Sequence, residues 1–259
     1  MHRFFVEPEQ LNRDGIRITG EDYIHIRNVL RMKPGEELLL CDESDKEYLC
    51  QITGYNEKEE AVEVKVTDIF ANTRELPVEI TLFQGYPKGD KLETIVQKAV
   101  ELGAARIVPV MMKRSIVKLD ARKAEKKNAR LNSIALSAAK QSRRGKIPEV
   151  MPVMSMKEAA AYARNMEYVI VPYEQAEGMA HSRKVIEDAA GKASVAVFIG
   201  PEGGFEPSEV EMIQAAGGRT ISLGHRILRT ETAGMTVLSL LMFQIEEDKP
   251  AERPEGTDI

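Results

Sequence analysis

Cysteine is scarce in this chain. With only Cys41 and Cys50 among 259 residues there is no disulfide framework, and with no other Cys and no His beside them they make no zinc-type cluster. They fall in two consecutive predicted strands and read as buried thiols of a reducing cytosol. Histidine is equally thin. His2, His25, His181 and His225 are scattered, so neither a metal site nor a His/Asp catalytic pair is visible. Long apolar runs are missing too. Residues 1–7 lack the sustained apolar stretch of a signal peptide, and the longest run, near 237–243, is too short and interrupted to span a bilayer. A cytoplasmic protein with no membrane partner is expected. Positive charge is not in excess: 36 Lys and Arg against 41 Asp and Glu leave a net −5. Any nucleic-acid site must therefore be a local basic patch on an acidic protein.

What is present suits a globular protein with a sizeable core: 43% hydrophobic and 30% charged residues, enough for one large domain or two modest ones. The chain is organised around residues 195–243. Val195-Ala196-Val197-Phe198-Ile199 is a continuous apolar run of the buried-strand type. It stops at Gly200-Pro201-Glu202-Gly203-Gly204. A helix is expected to open at Pro207-Ser208-Glu209-Val210-Glu211, with Ser208 as N-cap and Glu211 completing a capping box, and to end at Gly217-Gly218. A short strand over 220–223, a polar loop and an apolar helix over 234–246 follow. Two loops thus leave two strands, expected to be adjacent, at the edge where open α/β sheets bind ligands.

The loop chemistry argues against phosphate. There is no Gly-Lys-Ser/Thr, the glycine spacing is not the dinucleotide fingerprint, and Pro201 and Glu202 occupy positions where a pyrophosphate needs bare N–H groups. A neutral or cationic ligand, held by close backbone contacts, fits better.

Ile199-Gly200-Pro201-Glu202-Gly203-Gly204-Phe205, followed by Leu223-Gly224-His225-Arg226-Ile227-Leu228-Arg229-Thr230-Glu231-Thr232-Ala233, resembles the paired C-terminal motifs of the SPOUT methyltransferases. Within them it resembles the RsmE family, the ribosomal small-subunit RNA uridine-N3 methyltransferases. The resemblance runs through nearly the whole chain, including 91–103, Arg114-Ser115, Lys118-Leu119, 141–148 and His25-Ile26-Arg27-Asn28-Val29-Leu30-Arg31. It implies an α/β fold whose C-terminal SPOUT-type domain carries a trefoil knot and binds S-adenosylmethionine (SAM) there, preceded by a small PUA-like β-barrel. It implies a homodimer through the C-terminal helix, and as substrate the uridine at position 1498 of 16S ribosomal RNA. The implied cofactor contacts are Ile199, Gly200, Pro201, Glu202, Gly203, Gly204, Leu223, Gly224, Ile227, Leu228, Arg229, Thr232 and Ala233, with Pro172-Tyr173-Glu174 as a third wall. One departure stands out: Lys140 precedes Gln141-Ser142, where many members carry an acidic residue.

Taken in order, residues 1–72 read mostly as strands, with an Asp14-Gly15 hairpin signal and a short helix through Leu30. This is the expected RNA-binding PUA-like unit, with Arg3, Arg13, Arg17, Arg27 and Arg31 as basic candidates. Residues 73–247 alternate strands and helices, the α/β signature. They include a helix opened by Asp90, a long basic helix over 121–142, a capping box at Ser155 and Glu158, and an Ala-rich helix. Lys123, Lys126, Lys127, Arg130, Lys140, Arg143, Arg144 and Lys146 suggest a phosphate-binding stripe that positions RNA rather than reading it, and Lys118 and Gln141 are further candidate RNA contacts. Residues 248–259 are polar and Pro-rich, and a disordered tail is expected.

Uridine N3 becomes a nucleophile only after its proton leaves. Arg114, with Arg226 or Arg229, is the expected stabiliser of negative charge on the uracil oxygens. Glu231 is a weaker candidate base, since its place in a first helical turn already explains it. A SPOUT enzyme acting on a ribose 2′-OH, or a non-catalytic RNA-binding assembly factor, are the rival readings.

Overall fold

The strand signals of the N-terminal part form a five-stranded sheet in the computed structural model of the protein, which describes residues 1–7, 10, 15–44, 46–117 and 120–246. Arg13, Asp14, Lys118 and the expected tail over 248–259 lie outside the described residues. Two compact units are present. One takes Met1–Glu75 with Arg143–Lys146, and the other takes Leu76–Ser142 and Ile147–Glu247.

The first unit contains β1 (His2–Phe5), β2 (Ile16–Ile18), β3 (Glu37–Cys41), β4 (Lys46–Asn56) and β5 (Ala61–Ala71), in the order β1-β3-β4-β5-β2. Helix α1 (Gly20–Ile24) runs on into one π-helical stretch, His25–Leu30, closed by Arg31 in the left-handed region at φ 53. Register shifts at Leu49/Cys50 and Ile52/Gly54 bend β4 against β5. Phe4 from one end of the sheet and Ile16 and Ile18 from the other share a core with Ile26, Leu38, Leu40, Ile52 and Val62. The sheet is therefore curled about its own apolar face, as a barrel-like unit must be. Each such buried side chain contributes about 1.5–3 kcal/mol. Both cysteines are free and buried, and burial pushes their thiols up, Cys41 to about 11 and Cys50 to about 12.

The second unit contains β6 (Glu79–Gly85), α2 (Lys91–Glu101), β7 (Arg106–Met111), α3 (Ala121–Ser142), β8 (Glu149–Val150), β9 (Met154–Ser155), α4 (Met156–Ala163), β10 (Tyr168–Pro172), α5 (Met179–Ala189), β11 (Ser194–Ile199), α6 (Pro207–Gln214), β12 (Gly218–Ile221) and α7 (Thr230–Ile245). Its sheet runs β12-β10-β11-β6-β7-β8, with β9 also on β7, and every pairing is parallel. The central strands are buried on both faces, which is why 195–199 is continuously apolar. Phe83 of β6 and Phe198 of β11 are register partners whose rings stack at 4.4 Å. The expected fold class holds: an α/β unit on a parallel sheet, preceded by a PUA-like β unit.

Several local expectations are corrected. Strands β11 and β12 are not adjacent, because β10 lies between them. Helix α6 is capped by Glu206 and Glu209, not by Ser208 and Glu211: Pro207 takes the first helical position its fixed φ suits, which moves the cap one residue upstream of it. Gly217, at φ +91, ends the local turn, and β12 starts at once. Asp90 makes no side-chain cap on α2, and its carboxylate pairs instead with Lys127 at 3.2 Å. Helix α7 begins at Thr230 rather than 234 and buries Gly234, Val237, Leu238, Leu241 and Ile245 against α2, α5 and β11. After edge strand β12 the chain thus returns beyond β10 in the sheet order. Among the described residues no helix is long and apolar enough to cross a membrane.

Candidate active site

In a parallel sheet every strand delivers its loop to the same edge. Here the loops after β7, β10, β11 and β12 meet, with Lys91 at the start of α2 after β6, around a cavity of about 540 Å³. Of the expected cofactor contacts, Pro172, Ile199, Gly200, Pro201, Glu202, Gly203, Gly204, Ile227, Leu228, Arg229 and Ala233 line it, as do Tyr173 and Glu174. Leu223, Gly224 and Thr232 do not. Leu223 lines a separate apolar groove with Ile186 and Leu240, Gly224 donates its N–H to Ser222 at 3.2 Å, and Thr232 is exposed on α7. Lys91, Phe205 and Thr230 also line the cavity. None of the three is among the expected contacts, although Lys91 follows a strand of the same sheet, which is the signal that places it.

The loop after β11 turns tightly: Gly204 N–H donates to Pro201 O at 2.8 Å, and Gly204 has φ +71. Gly203 is needed for a different reason. A Cβ there would lie 2.9 Å from Arg114 Cβ. Arg114 in turn clamps this loop, its Nε donating to Glu206 at 2.7 Å and its Nη1 to Gly203 O at 2.9 Å. The Glu206 hydrogen bond raises the guanidinium pKa further, so its charge is permanent, and the clamp uses two of its five donors.

Across the cavity, Lys91 Nζ lies 2.8 Å from Glu202 and 3.8 Å from Glu231. Partial burial works against the Glu202 carboxylate, but Lys91 and nearby backbone N–H groups outweigh it and hold its pKa below the ordinary value. Arg229 is the N-cap residue of α7 and makes no side-chain cap, so the positive end of that helix opens at the cavity wall. Arg226 is exposed and Glu231 sits in the first turn of α7; neither lines the cavity. The lining holds no Cys, His or Ser, and its one Thr hydroxyl is donated to Gly200 O. Lys91, Arg114 and Arg229 supply positive charge around the cavity, and Glu174 and Glu202 supply negative charge.

The candidate RNA contacts separate by burial. Arg3 is turned inward, only 7% exposed, and forks onto Glu47 at 2.6 and 3.1 Å. Arg144 is 5% exposed and forks onto Glu75. Both are corrections: a guanidinium turned inward and forked onto a neighbouring carboxylate is not presented to a phosphate at the surface. Arg17 pairs with Glu59, and Arg27 pairs with Glu57 and lies over the Tyr55 ring at 5.3 Å. Arg31, Gln141 and Lys146 have exposed side chains. On α3, Lys127 and Arg130 converge on Glu93 and Lys123 on Asp120, so part of that stripe is already neutralised.

Comparison with known proteins identifies the family. A family model described as an RNA methyltransferase domain matches residues 74–242, and one described as an RNA methyltransferase PUA domain matches 18–65. The Ribosomal RNA small subunit methyltransferase E of Bacillus subtilis is 39% identical over 95% of this chain and 98% of its own length. The solved structure of a Ribosomal RNA small subunit methyltransferase E from Neisseria gonorrhoeae, bound to S-adenosyl methionine, is 31% identical with a TM-score of 0.78, over 94% of this chain and 97% of that one. A Legionella pneumophila methyltransferase in complex with SAM is 31% identical with a TM-score of 0.79, over 93% of this chain and 96% of that one. The chain therefore belongs to the RNA methyltransferase family, among the Ribosomal RNA small subunit methyltransferase E proteins.

Proposed function

We propose that this chain binds SAM in the β10–β11–α7 cavity and methylates N3 of a uridine in 16S ribosomal RNA of the small subunit. The observation that carries the reading is the cavity itself, whose lining joins a backbone-walled cradle to two arginines. The lining suits the cofactor. Ile199, Phe205, Ile227 and Leu228 offer apolar surface to a purine, the Gly200–Gly204 turn admits close backbone approach, and Glu174 and Glu202 favour a cation. Bound SAM supplies an electrophilic methyl on a sulfonium.

The chain's own residues then have one task, which is to present N3 without its proton. A uracil entering the cavity, flipped from its stack, meets the free donors of Arg114, and Arg229 stands on the same lining. Their charge stabilises the imide anion on the uracil oxygens, which lowers the cost of releasing the N3 proton to solvent. The clamp through Glu206 and Gly203 O fixes Arg114 beforehand, so little reorganisation is needed.

The same reading assigns residues 1–72 to RNA binding and 73–247 to catalysis, with Arg17, Arg27, Arg31, Gln141 and Lys146 as backbone contacts and the knotted return before α7 as cofactor wall. Exposed Leu240 and Phe243, at 44% and 86%, support a homodimer through α7; a single monomeric species in sedimentation at micromolar concentration would remove it. The decisive assay is transfer from labelled SAM to small subunits lacking the modification, followed by nucleoside analysis. Label in 3-methyluridine is expected. Label in a ribose-methylated nucleoside overturns the acceptor, and SAM binding without transfer favours an assembly factor.

A further inference from the structure

Gln84 is the last residue but one of β6, does not line the cavity and is fully buried. A buried amide is costly unless its groups are paired. Its Nε2 donates to Thr230 Oγ1 at 2.8 Å and to Gly85 O at 3.0 Å. Thr230, itself 5% exposed, donates its hydroxyl to Gly200 O at 2.6 Å. The direction of this relay is fixed. Gly200 O can only accept, a threonine hydroxyl has one hydrogen, and Gln84 must therefore be the donor to Thr230. That orientation leaves Gln84 Oε1 buried and without a hydrogen-bond partner.

The neighbouring backbone is equally constrained. A Cβ on Gly85 would lie 2.5 Å from Pro201 N and 2.9 Å from Gly200 C, so the end of β6 touches the Gly200-Pro201 peptide directly. Three segments far apart in the chain thus meet at one point: the end of β6, the first cavity loop and the first residue of α7. Lys91 of α2 also reaches that loop and α7 through Glu202 and Glu231, but these contacts are partly solvated and correspondingly weak.

We propose that Gln84 is a positioning residue: its amide holds the Thr230 hydroxyl on Gly200 O, locking the β11 loop and the α7 N-terminus into one rigid wall of the cavity. This deepens the methyltransferase reading, and as a statement about SAM affinity it rests on that reading. The relay itself does not.

Gln84→Met keeps the volume and removes both the donor and the unpaired oxygen. If Gln84 were only structural, affinity would follow stability. The relay predicts a split. Tm stays within a few degrees of wild type, amide exchange in the ligand-free protein speeds up over 200–204 and 229–234 and nowhere else, and the SAM Kd by calorimetry rises about tenfold. Thr230→Val gives the same pattern, and Thr230→Ser, which keeps the hydroxyl, recovers slow exchange and most of the affinity. Unchanged exchange in both segments for Gln84→Met and Thr230→Val overturns the proposal, as does exchange rising throughout the second unit. A wild-type protein that binds no SAM overturns the methyltransferase reading instead, and the exchange measurement still decides the relay.

Discussion

Arg144, in the first unit, and Arg114, in the second, look alike on paper. Each is an arginine forked onto a glutamate and a family-like position in the sequence. Their side chains are 6% and 45% exposed. Arg144 gives Glu75 its Nε and Nη2, and the backbone N–H groups of Gly145 and Lys146 converge on the same carboxylate. Such a pair is desolvated and locked, and its energy shows when one partner is removed. Arg114 keeps water and spare donors, so its pair fixes direction without consuming the charge. Solvent, not residue type, decides which arginine can serve chemistry.

The comparison breaks most visibly through the buried pair. Arg144→Ala should destabilise the first unit by about 3–5 kcal/mol, because the part-buried Glu75 carboxylate loses its guanidinium. Denaturant titration should show it, with Arg144→Met plus Glu75→Leu recovering most of the loss. A change below about 1 kcal/mol for the single substitution would mean water reaches Glu75 and would erase the contrast with Arg114.

Arg114→Ala should do the reverse. Tm should stay within about 2 °C of wild type, since an exposed pair holds little of the fold. Turnover should fall about 10²–10³-fold, the cost of losing one preorganised donor to a developing anion. Wild-type kcat in this variant would leave Arg114 as a loop clamp alone.

How much of this was legible in the sequence follows from the range of each interaction. The apolar run of β11, both ends of α3 and the Ser155–Glu158 capping box depend on neighbours within a few residues, and each stands where its local pattern put it. The α6 cap moved because two local signals competed and Pro207 prevailed. The burial of Arg3 and Arg144 was invisible because Glu47 and Glu75 lie 44 and 69 residues away. The insertion of β10 between β11 and β12 was hidden for the same reason: strand order is a property of crossovers, and no single loop encodes it. Lys91 and Thr230 belong to the site only because those crossovers bring β6 and α7 to the edge where β10 and β11 end.

The smallest effect sharpens the same contrast from the carboxylate side. Glu202 is a cavity residue paired with Lys91, its side chain 33% exposed, and its pKa is depressed in the folded state. A depressed carboxylate stabilises the fold fully above its unfolded value of about 4.3, and the contribution disappears as pH falls through the lower folded value. Lys91 is raised by the Glu202 hydrogen bond and so stays charged throughout that range. Wild type should therefore exceed Glu202→Gln in Tm by no more than about 2 °C at pH 7, and the two should converge as pH falls through the depressed folded value. Because solvent screens this pair, added salt should shrink the difference as well. The Arg144–Glu75 pair, shielded from ions, should keep its difference between wild type and variant at the same salt. If the Glu202 difference instead persisted at high salt, the cavity rim would be drier than its exposure indicates, and Lys91 would belong with the buried arginines.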